Sequence, residues 1–158
     1  MKAAKRSHQA AGEAIPNKLP QYLTSFVGRD DALDALKALL GHSRMVTLAG
    51  PGGAGKSRLA AELGRACLDL WPGGVWWVEL APVGDPRQVP GAVLAALEVP
   101  ARGQAPDAVA AWLAPRQALL VLDNCEHLIG ACADFCQALL DHCPKLTIIA
   151  TALLVRAP

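Results

Sequence analysis

The sequence predicts a three-layer α/β domain in which helices cover both faces of a mostly parallel sheet of four to five strands. Short apolar runs alternate with segments of helical periodicity along the chain, and this alternation is typical of parallel βα units. The run "QALLVLD" at 117–123 is almost continuously apolar, as expected for a strand that is covered on both faces. A glycine-rich stretch, "GPGGAGKS", separates the first apolar run from the helical segment that follows it.

Four apolar runs have the length and composition of buried strands. They are predicted at 44–49, 75–80, 117–123 and 145–151. Four strands make a small sheet for this class, so we expect the fold to be incomplete at its carboxyl end.

Five segments have apolar residues at helical spacing and are bounded by glycine or proline. Helices are predicted at about 31–40, 56–70, 86–97, 106–113 and 125–142. Asp30 or Asp31 is expected to cap the first helix, Gly41 to end it, and Pro86 to begin the third.

Composition and charge narrow the function classes. The chain has 158 residues, of which 53% are hydrophobic, so a single domain with a real core is expected. A net charge of +1 gives no general reason to bind nucleic acid, and no apolar run approaches a membrane span of about 20 residues. We therefore expect no membrane association and no direct DNA contact. Residues 1–18 are polar and alanine-rich and are predicted to be a disordered leader, with the domain covering 19–158.

The five cysteines favour a reducing, cytoplasmic compartment, because their number is odd and nothing indicates export. Four of them share one face of the last predicted helix. That face is apolar, and four thiols along a straight helix cannot surround one tetrahedral zinc ion. We expect them to be core residues.

The stretch from Gly50 to Ser57 fits the pattern G-x-x-x-x-G-K-[ST] between a strand and a helix. The backbone N–H groups of Gly53 to Ser57 can form an anion site at a helix N-terminus. Lys56 would neutralise the β- and γ-phosphates of a nucleotide, and Ser57 would give its hydroxyl to Mg²⁺. The alternative is a glycine-rich βα turn that binds nothing. The candidate nucleotide-binding residues here are Gly50, Pro51, Gly52, Gly53, Ala54, Gly55, Lys56, Ser57 and Arg58.

Asp123 follows five apolar residues at the end of the third predicted strand. Alone, such an aspartate is more often a helix cap. Beside a complete phosphate loop, it is predicted to hold the Mg²⁺ shell together with Ser57.

Four phrases of the sequence together resemble the nucleotide-binding domain of STAND-type NTPases, relatives of the NB-ARC and AAA+ groups. They are "LTSFVGRD", "GPGGAGKSRLA", "VWWVELAPVGDP" and "LLVLDNCEHL". The likeness is strongest to the ATPase modules of bacterial transcriptional regulators of the LuxR and antibiotic-regulatory kinds, and it covers about 19–150.

The resemblance implies an ATP- or ADP-binding switch that uses Mg²⁺, closed with ADP and open, often oligomeric, with ATP. It also implies that Val27, Gly28 and Arg29, which match a "VGR" element, lie against the adenine and ribose. Without the resemblance, these three residues would be an ordinary loop before a helix. A partner protein or self-association is left open.

The residues next to Asp123 depart from the broader pattern, in which a second acid orients the attacking water. Here that position is Asn124, whose amide can position water but is a poor base. Glu126 is either a substitute acid or a first-turn helix charge, and Glu79 is an outside candidate. Lys56, Asp123, Asn124 and Glu126 are thus the candidate catalytic residues, and slow or absent hydrolysis is expected.

The carboxyl end also departs from the family. Where relatives continue "ATSRE", this chain reads "IIATALLVRAP", so Thr151 is kept but the adjoining arginine is absent, and Arg156 is out of register. The lid and winged-helix parts that complete the pocket in relatives are not in the sequence, which suggests a truncated or partial gene product.

Two alternatives to the switch compete. A small-molecule kinase would need an arginine-rich lid, and the sequence offers only Arg87 and Arg102 between 85 and 115. A remnant fold that has lost its lid would bind nucleotide poorly.

Overall fold

The computed structural model describes residues 14–153, and its strands form one parallel sheet. The order across the sheet is β1-β4-β3-β2. The strands are β1 (Met45–Gly50), β2 (Val75–Glu79), β3 (Leu119–Asp123) and β4 (Thr147–Leu153). The predicted α/β class with a parallel sheet is therefore confirmed.

Within residues 14–153, five α-helices lie between or before the strands. They are α1 (Asp30–Leu40), α2 (Lys56–Ala66), α3 (Val89–Ala96), α4 (Ala105–Leu113) and α5 (Ile129–His142). The described part of the chain also has two short 3₁₀ helices. Leu68–Leu70 follows α2, and Pro86–Gln88 directly precedes α3.

Several predicted helix bounds were wrong. The helix predicted to 70 ends at Ala66 and continues only as a 3₁₀ turn, and Pro86 begins the other 3₁₀ helix rather than α3. Arg29 is the residue before α1, and neither Asp30 nor Asp31 caps it; both lie in the first turn, where the helix dipole favours negative charge.

The last helix begins at Ile129, four residues later than predicted. Asn124 has a left-handed backbone with φ of 61°, and a turn follows in which the N–H of Leu128 donates to the carbonyl of Cys125 at 2.9 Å. Cys125 thus precedes α5.

The third strand is covered on both faces, as its apolar run predicted. Leu120 and Leu122 pack in a core with α3, α4 and α5, whereas Leu119 and Val121 pack in a second core with α1 and α2. All four side chains are fully buried. The sheet is thus the middle of three layers.

The cysteines predicted to be core residues are buried: Cys125, Cys132, Cys136 and Cys143. Burial raises the pKa of the Cys136 thiol to about 12. Within residues 14–153, no group of three or more histidine, cysteine or acidic side chains is placed to hold a metal ion.

Part of the predicted leader is paired with the sheet. The carbonyl of Pro16 accepts from the N–H of Val75 at 2.9 Å, and the N–H of Lys18 donates to the carbonyl of Val75 at 2.9 Å. Asn17 forms a parallel bridge with Val75. The boundary predicted at residue 18 therefore falls too late by at least three residues, while 1–13 and Arg156 lie outside the described residues.

The register of the sheet brings the carboxyl ends of its strands to one edge. Glu79 is aligned with Asp123, and Leu122 with Ala150. Gly50, the last residue of β1, is aligned with Leu153. No helix among residues 14–153 has both the length and the apolar character needed to cross a membrane.

Replacing Leu122 with alanine should reduce the free energy of unfolding by about 2–5 kcal/mol, because the side chain is fully buried beside the carboxyl end of β3. Urea denaturation followed by circular dichroism measures this change. Leu70→Ala, at a leucine that is 55% exposed, is the control and should cost far less. Equal losses in the two variants would contradict the packing described.

Candidate functional site

The loop between β1 and α2 has a backbone that requires glycine at two positions. Gly53 and Gly55 have φ of 76° and 77°, in the left-handed region. A Cβ atom at Gly55 would also lie 3.0 Å from Nη1 of Arg29. Gly53 is thus explained by its conformation, and Gly55 by its conformation and by the close approach of a guanidinium.

The same loop carries backbone donors without partners. Within residues 14–153, the N–H groups of Gly52, Gly53 and Gly55 donate to no acceptor, while that of Ala54 reaches the carbonyl of Pro51 at 3.2 Å. The first N–H groups of α2 also have no partner within the helix. Unpaired donors at a helix N-terminus favour an anion.

The Lys56 side chain folds back on this loop. Its Nζ donates to the carbonyl of Gly50 at 3.0 Å and to that of Pro51 at 2.9 Å. The ammonium group is therefore at the loop and is partly exposed, where a phosphate oxygen could replace a carbonyl as its partner.

Ser57 and Asp123 are in direct contact. Oγ of Ser57 donates to Oδ1 of Asp123 at 2.6 Å, and Oγ1 of Thr151 donates to the same oxygen at 2.5 Å. Asp123 is only 4% exposed. The two residues that the sequence assigned to a metal site, 66 positions apart, are thus brought together.

The pKa of Asp123 is raised above its ordinary value. Burial of the carboxylate is the main cause, and the nearby Glu79 adds to it. The hydrogen bonds from Ser57 and Thr151 act in the opposite direction, because they stabilise the charged form. Burial outweighs these hydrogen bonds.

Asn124 contacts Thr151 and Glu79. Its N–H donates to Oγ1 of Thr151 at 3.0 Å, and Nδ2 donates to Oε1 of Glu79 at 2.7 Å. The same Oε1 accepts from the N–H of Ala81 at 3.0 Å. Glu79, an outside candidate in the sequence, is thereby connected to the site through Asn124.

A cavity of about 370 Å³ lies between the loop and the end of β3. Its lining residues are Tyr22, Gly52, Gly53, Gly55, Lys56, Ser57, Arg58, Asn124, Glu126 and Leu153. Glu126 therefore reaches the same space as Lys56 and Asn124. A cavity of the same volume at the opposite end of the sheet has no acidic side chain in its lining.

A second cavity of about 270 Å³ lies on the other side of the loop. Ser25 to Val27, Arg29 and Arg58 line it together with the loop segment 53–55. Val27 is largely exposed, and Gly28 has a left-handed φ of 76°. Val27 and Arg29 of the "VGR" segment thus lie beside the phosphate loop.

Arg58, a residue of α2, binds the segment that precedes α1 through Thr24. Its Nη1 donates to Oγ1 of Thr24 at 2.9 Å and its Nη2 to the Thr24 carbonyl, while Nε pairs with Glu62 at 3.1 Å. The guanidinium lies 4.4 Å from the ring centre of Tyr22 and 5.8 Å from that of Phe26. The contacts seen for this arginine are therefore structural.

Sequence reasoning missed three contributions to the site: Tyr22 in the cavity lining, Thr24 as an Arg58 partner, and the hydroxyl of Thr151 on Asp123. Only the last had a usable signal. Polar residues at the carboxyl ends of neighbouring parallel strands meet at one edge, and Thr151 ends a predicted strand.

The loop, the lysine and the buried carboxylate define a nucleotide-binding P-loop domain. The sequence confirms this class, since residues 25–150 match the family described as the AAA ATPase domain. The chain belongs to that family.

Relatives and solved structures agree with this family. An uncharacterised protein of Mycobacterium tuberculosis, Rv0894, is 40% identical over 141 residues, which cover 88% of this chain and 36% of that protein. From the same species, "Putative HTH-type transcriptional regulator Rv0890c" is 40% identical over 119 residues, covering 74% of this chain and 13% of the relative. The chain thus spans about a third or less of these relatives.

Two solved structures share the fold at low identity. The ORC2 protein of Aeropyrum pernix, solved as ADPNP and ADP complexes, superposes with a TM-score of 0.59 at 17% identity and covers 81% of this chain and 42% of that one. A STAND protein with a tetratricopeptide repeat sensor from Pyrococcus horikoshii gives a TM-score of 0.56 at 16% identity, covering 85% and 21%. Both structures therefore share the fold of this chain.

Replacing Asp123 with asparagine should raise the Tm of the protein at pH 7 without nucleotide or metal. Burial disfavours the carboxylate, and an amide oxygen can accept the same two hydrogen bonds. Because the folded-state pKa is raised, the wild type gains stability as the pH falls through that pKa toward the unfolded-state value of about 3.9. The Tm difference should therefore shrink on acidification.

Differential scanning calorimetry between pH 7 and pH 4 measures this difference. Asp134→Asn, at an exposed aspartate of α5, is the control for a change of net charge. A lower Tm for Asp123→Asn at pH 7, or a difference that grows on acidification, would contradict the assigned cause.

Proposed function

We propose that this domain binds ATP or ADP with Mg²⁺ and acts as a nucleotide-dependent switch that hydrolyses ATP slowly at most. The observation that carries the proposal is the 2.6 Å contact between Ser57 Oγ and Asp123 Oδ1. It joins the phosphate loop to the end of β3, which is the pairing that a nucleotide-bound Mg²⁺ needs.

Phosphate binding is supported by the charges and donors of the loop. The unpaired N–H groups of Gly52, Gly53 and Gly55 would donate to phosphate oxygens. Lys56 would exchange its carbonyl partners for the β- and γ-phosphates, since a charged acceptor makes the stronger hydrogen bond.

The residues present fit Mg²⁺, which prefers oxygen ligands and keeps several of its waters. Ser57 would contribute its hydroxyl directly, and the buried carboxylate of Asp123 would hold the surrounding waters. The ion would supply the positive charge that a triphosphate needs. Thr151 would keep the carboxylate in place.

The nucleoside is assigned to the second cavity, of about 270 Å³. Val27, Gly28 and Arg29 would lie against the base and ribose, because this segment is beside the loop and is held there through Arg58 and Thr24. Arg58 would thus act on the nucleotide through the segment that it anchors.

Slow hydrolysis follows from the groups around the cavity. The residue after Asp123 is the amide Asn124, which cannot act as a base. Glu126 reaches the cavity, whereas the Glu79 carboxylate is occupied by Asn124 and the Ala81 N–H.

The switch role is supported by the likeness to a STAND protein and to an HTH-type regulator. A module that spans a minor part of such proteins would report its nucleotide state to other domains, in the cytoplasm, through self-association or a protein partner. The kinase alternative gains no support, because Arg87 is paired with Asp85 at 2.7 Å, outside both cavities.

Lys56→Ala should weaken the binding of a fluorescent ATP analogue by roughly 10- to 100-fold, the loss expected for a hydrogen bond to a charged group. Fluorescence anisotropy with and without Mg²⁺ measures this change. Lys37→Ala, at an exposed lysine of α1, is the matched control and should bind normally.

In the same titration, Asp123→Ala should remove mainly the Mg²⁺-dependent part of the affinity. Unchanged binding in Lys56→Ala would exclude the loop from the site, and an unchanged response to Mg²⁺ in Asp123→Ala would exclude the metal role.

The switch requires that ATP and ADP stabilise different conformations, because a ligand with equal affinity for two states shifts neither. We expect hydrogen exchange at residues 20–29 to differ between the Mg²⁺-ATP and Mg²⁺-ADP forms, since this segment contacts α2 and lines both cavities. Mass spectrometry of the exchanged peptides measures the difference. Identical exchange in both forms, with nucleotide bound, would leave a binding module but refute the switch.

A further inference from the structure

We propose that Glu79 is a positioning residue, which fixes the side-chain amide of Asn124 so that its carbonyl oxygen faces the phosphate cavity and accepts a hydrogen bond from water. The proposal rests on the nucleotide-binding function proposed above and specifies how the slow hydrolysis is arranged.

The placement of Glu79 follows from the parallel sheet. It is the last residue of β2 and is aligned with Asp123, the last residue of β3. Parallel neighbours end at the same edge, so a side chain that follows Asp123 meets the Glu79 carboxylate there. The contact is 2.7 Å between Nδ2 of Asn124 and Oε1 of Glu79.

The Asn124 amide has two N–H donors and one acceptor oxygen. One donor goes to Glu79, and the other faces Oδ2 of Asp123 at 3.5 Å. Within residues 14–153, nothing donates to Oδ1 of Asn124. The carboxylates of Glu79 and Asp123 both lie at Nδ2 of the Asn124 amide, so the oxygen Oδ1 is the end that is left for the cavity.

The backbone restricts Asn124 as well. Its φ of 61° is in the left-handed region, which asparagine adopts more readily than most residues. Its N–H is bound by Thr151, and Glu79 is itself held by the N–H of Ala81. Both partners of the amide contact are thus fixed before water enters.

An oriented amide oxygen suits water placement without proton removal. Accepting one hydrogen from water leaves an oxygen lone pair free to attack the γ-phosphorus. The bond from the water oxygen to phosphorus forms, the bond to the bridging oxygen of ADP breaks, and both water protons end on the inorganic phosphate. Asn124 and Glu79 take no proton in this step, in agreement with a slow reaction.

The alternative is that Glu79 acts as the base. Both of its hydrogen bonds are made to Oε1, so glutamine at this position can keep the acceptor but cannot take a proton at pH 7. Glu79→Gln therefore separates positioning from proton transfer, and Glu79→Ala removes both.

The first test is steady-state ATP hydrolysis by the full chain with Mg²⁺. We expect Glu79→Gln to keep kcat within about threefold of wild type, and Glu79→Ala to lower kcat by roughly fivefold to tenfold with KM unchanged. Asp134→Ala, at an exposed carboxylate of α5, is the control.

Several outcomes overturn the proposal. If Glu79→Gln is as slow as Glu79→Ala, the residue is a base, and if Glu79→Ala keeps wild-type kcat, it has no role. Wild-type protein that binds Mg²⁺-ATP tightly without turnover overturns this inference and leaves nucleotide binding intact. Wild-type protein that binds no nucleotide overturns the proposed function and this inference together.

The second test needs no turnover. The chain has two asparagines, Asn17 and Asn124, so selective ¹⁵N-asparagine labelling gives two side-chain amide signals, and Asn124→Ser assigns them. We expect the Asn124 signals to be shifted from those of a free amide in wild type and Glu79→Gln, and to move toward free values in Glu79→Ala. Signals that are unchanged in Glu79→Ala would refute the contact.

Discussion

The site depends on one constraint: the Asp123 carboxylate is buried at the end of β3, and a buried charge must be hydrogen-bonded. Ser57 at the start of α2 and Thr151 in β4 both donate to the same oxygen. These two contacts join the phosphate loop, the third strand and the fourth strand. In the sheet, β4 lies between β1 and β3. The loop after β1 is therefore held over the carboxyl ends of β4 and β3. The geometry of the loop is thus fixed by a carboxylate as well as by its own glycines.

Burial of the charged Asp123 side chain lowers the stability of the fold, although the proposed function needs this carboxylate. Burial disfavours its charged form more than its two hydroxyl donors favour it, so its pKa is raised. A bound divalent cation would reverse this balance, because an adjacent positive charge stabilises the carboxylate. Proteins commonly accept such destabilisation at functional sites. The raised pKa of Asp123 therefore reflects its burial, and it agrees with the proposed role of this carboxylate toward a cation.

The elements that sequence could predict are those determined by local patterns. Apolar runs predicted all four strands, and the glycine-lysine-serine spacing predicted the loop. The helix start at Ile129 was missed because the left-handed backbone of Asn124 and the turn after it leave no periodic pattern of apolar residues in the sequence. The contact of Asn124 with Glu79 depends on which residues of β2 and β3 are aligned, and the position of Thr151 beside Asp123 depends on the order of strands. Register and strand order are long-range properties, and a single sequence does not encode them in its spacing.

Under the proposed function, the division of roles between the Asn124 amide and the Glu79 carboxylate would make ATP hydrolysis slow. Asn124 is one of the residues that line the cavity of about 370 Å³, whereas Glu79 is not among them and contacts the Asn124 amide. A carboxylate in the position of Asn124 would lie close to Asp123 and Glu79, and three like charges at the carboxyl edge of the sheet would repel one another. The amide avoids this repulsion by donating to both carboxylates. It also cannot remove a proton, so under the proposed function this arrangement would favour long-lived nucleotide states over rapid turnover.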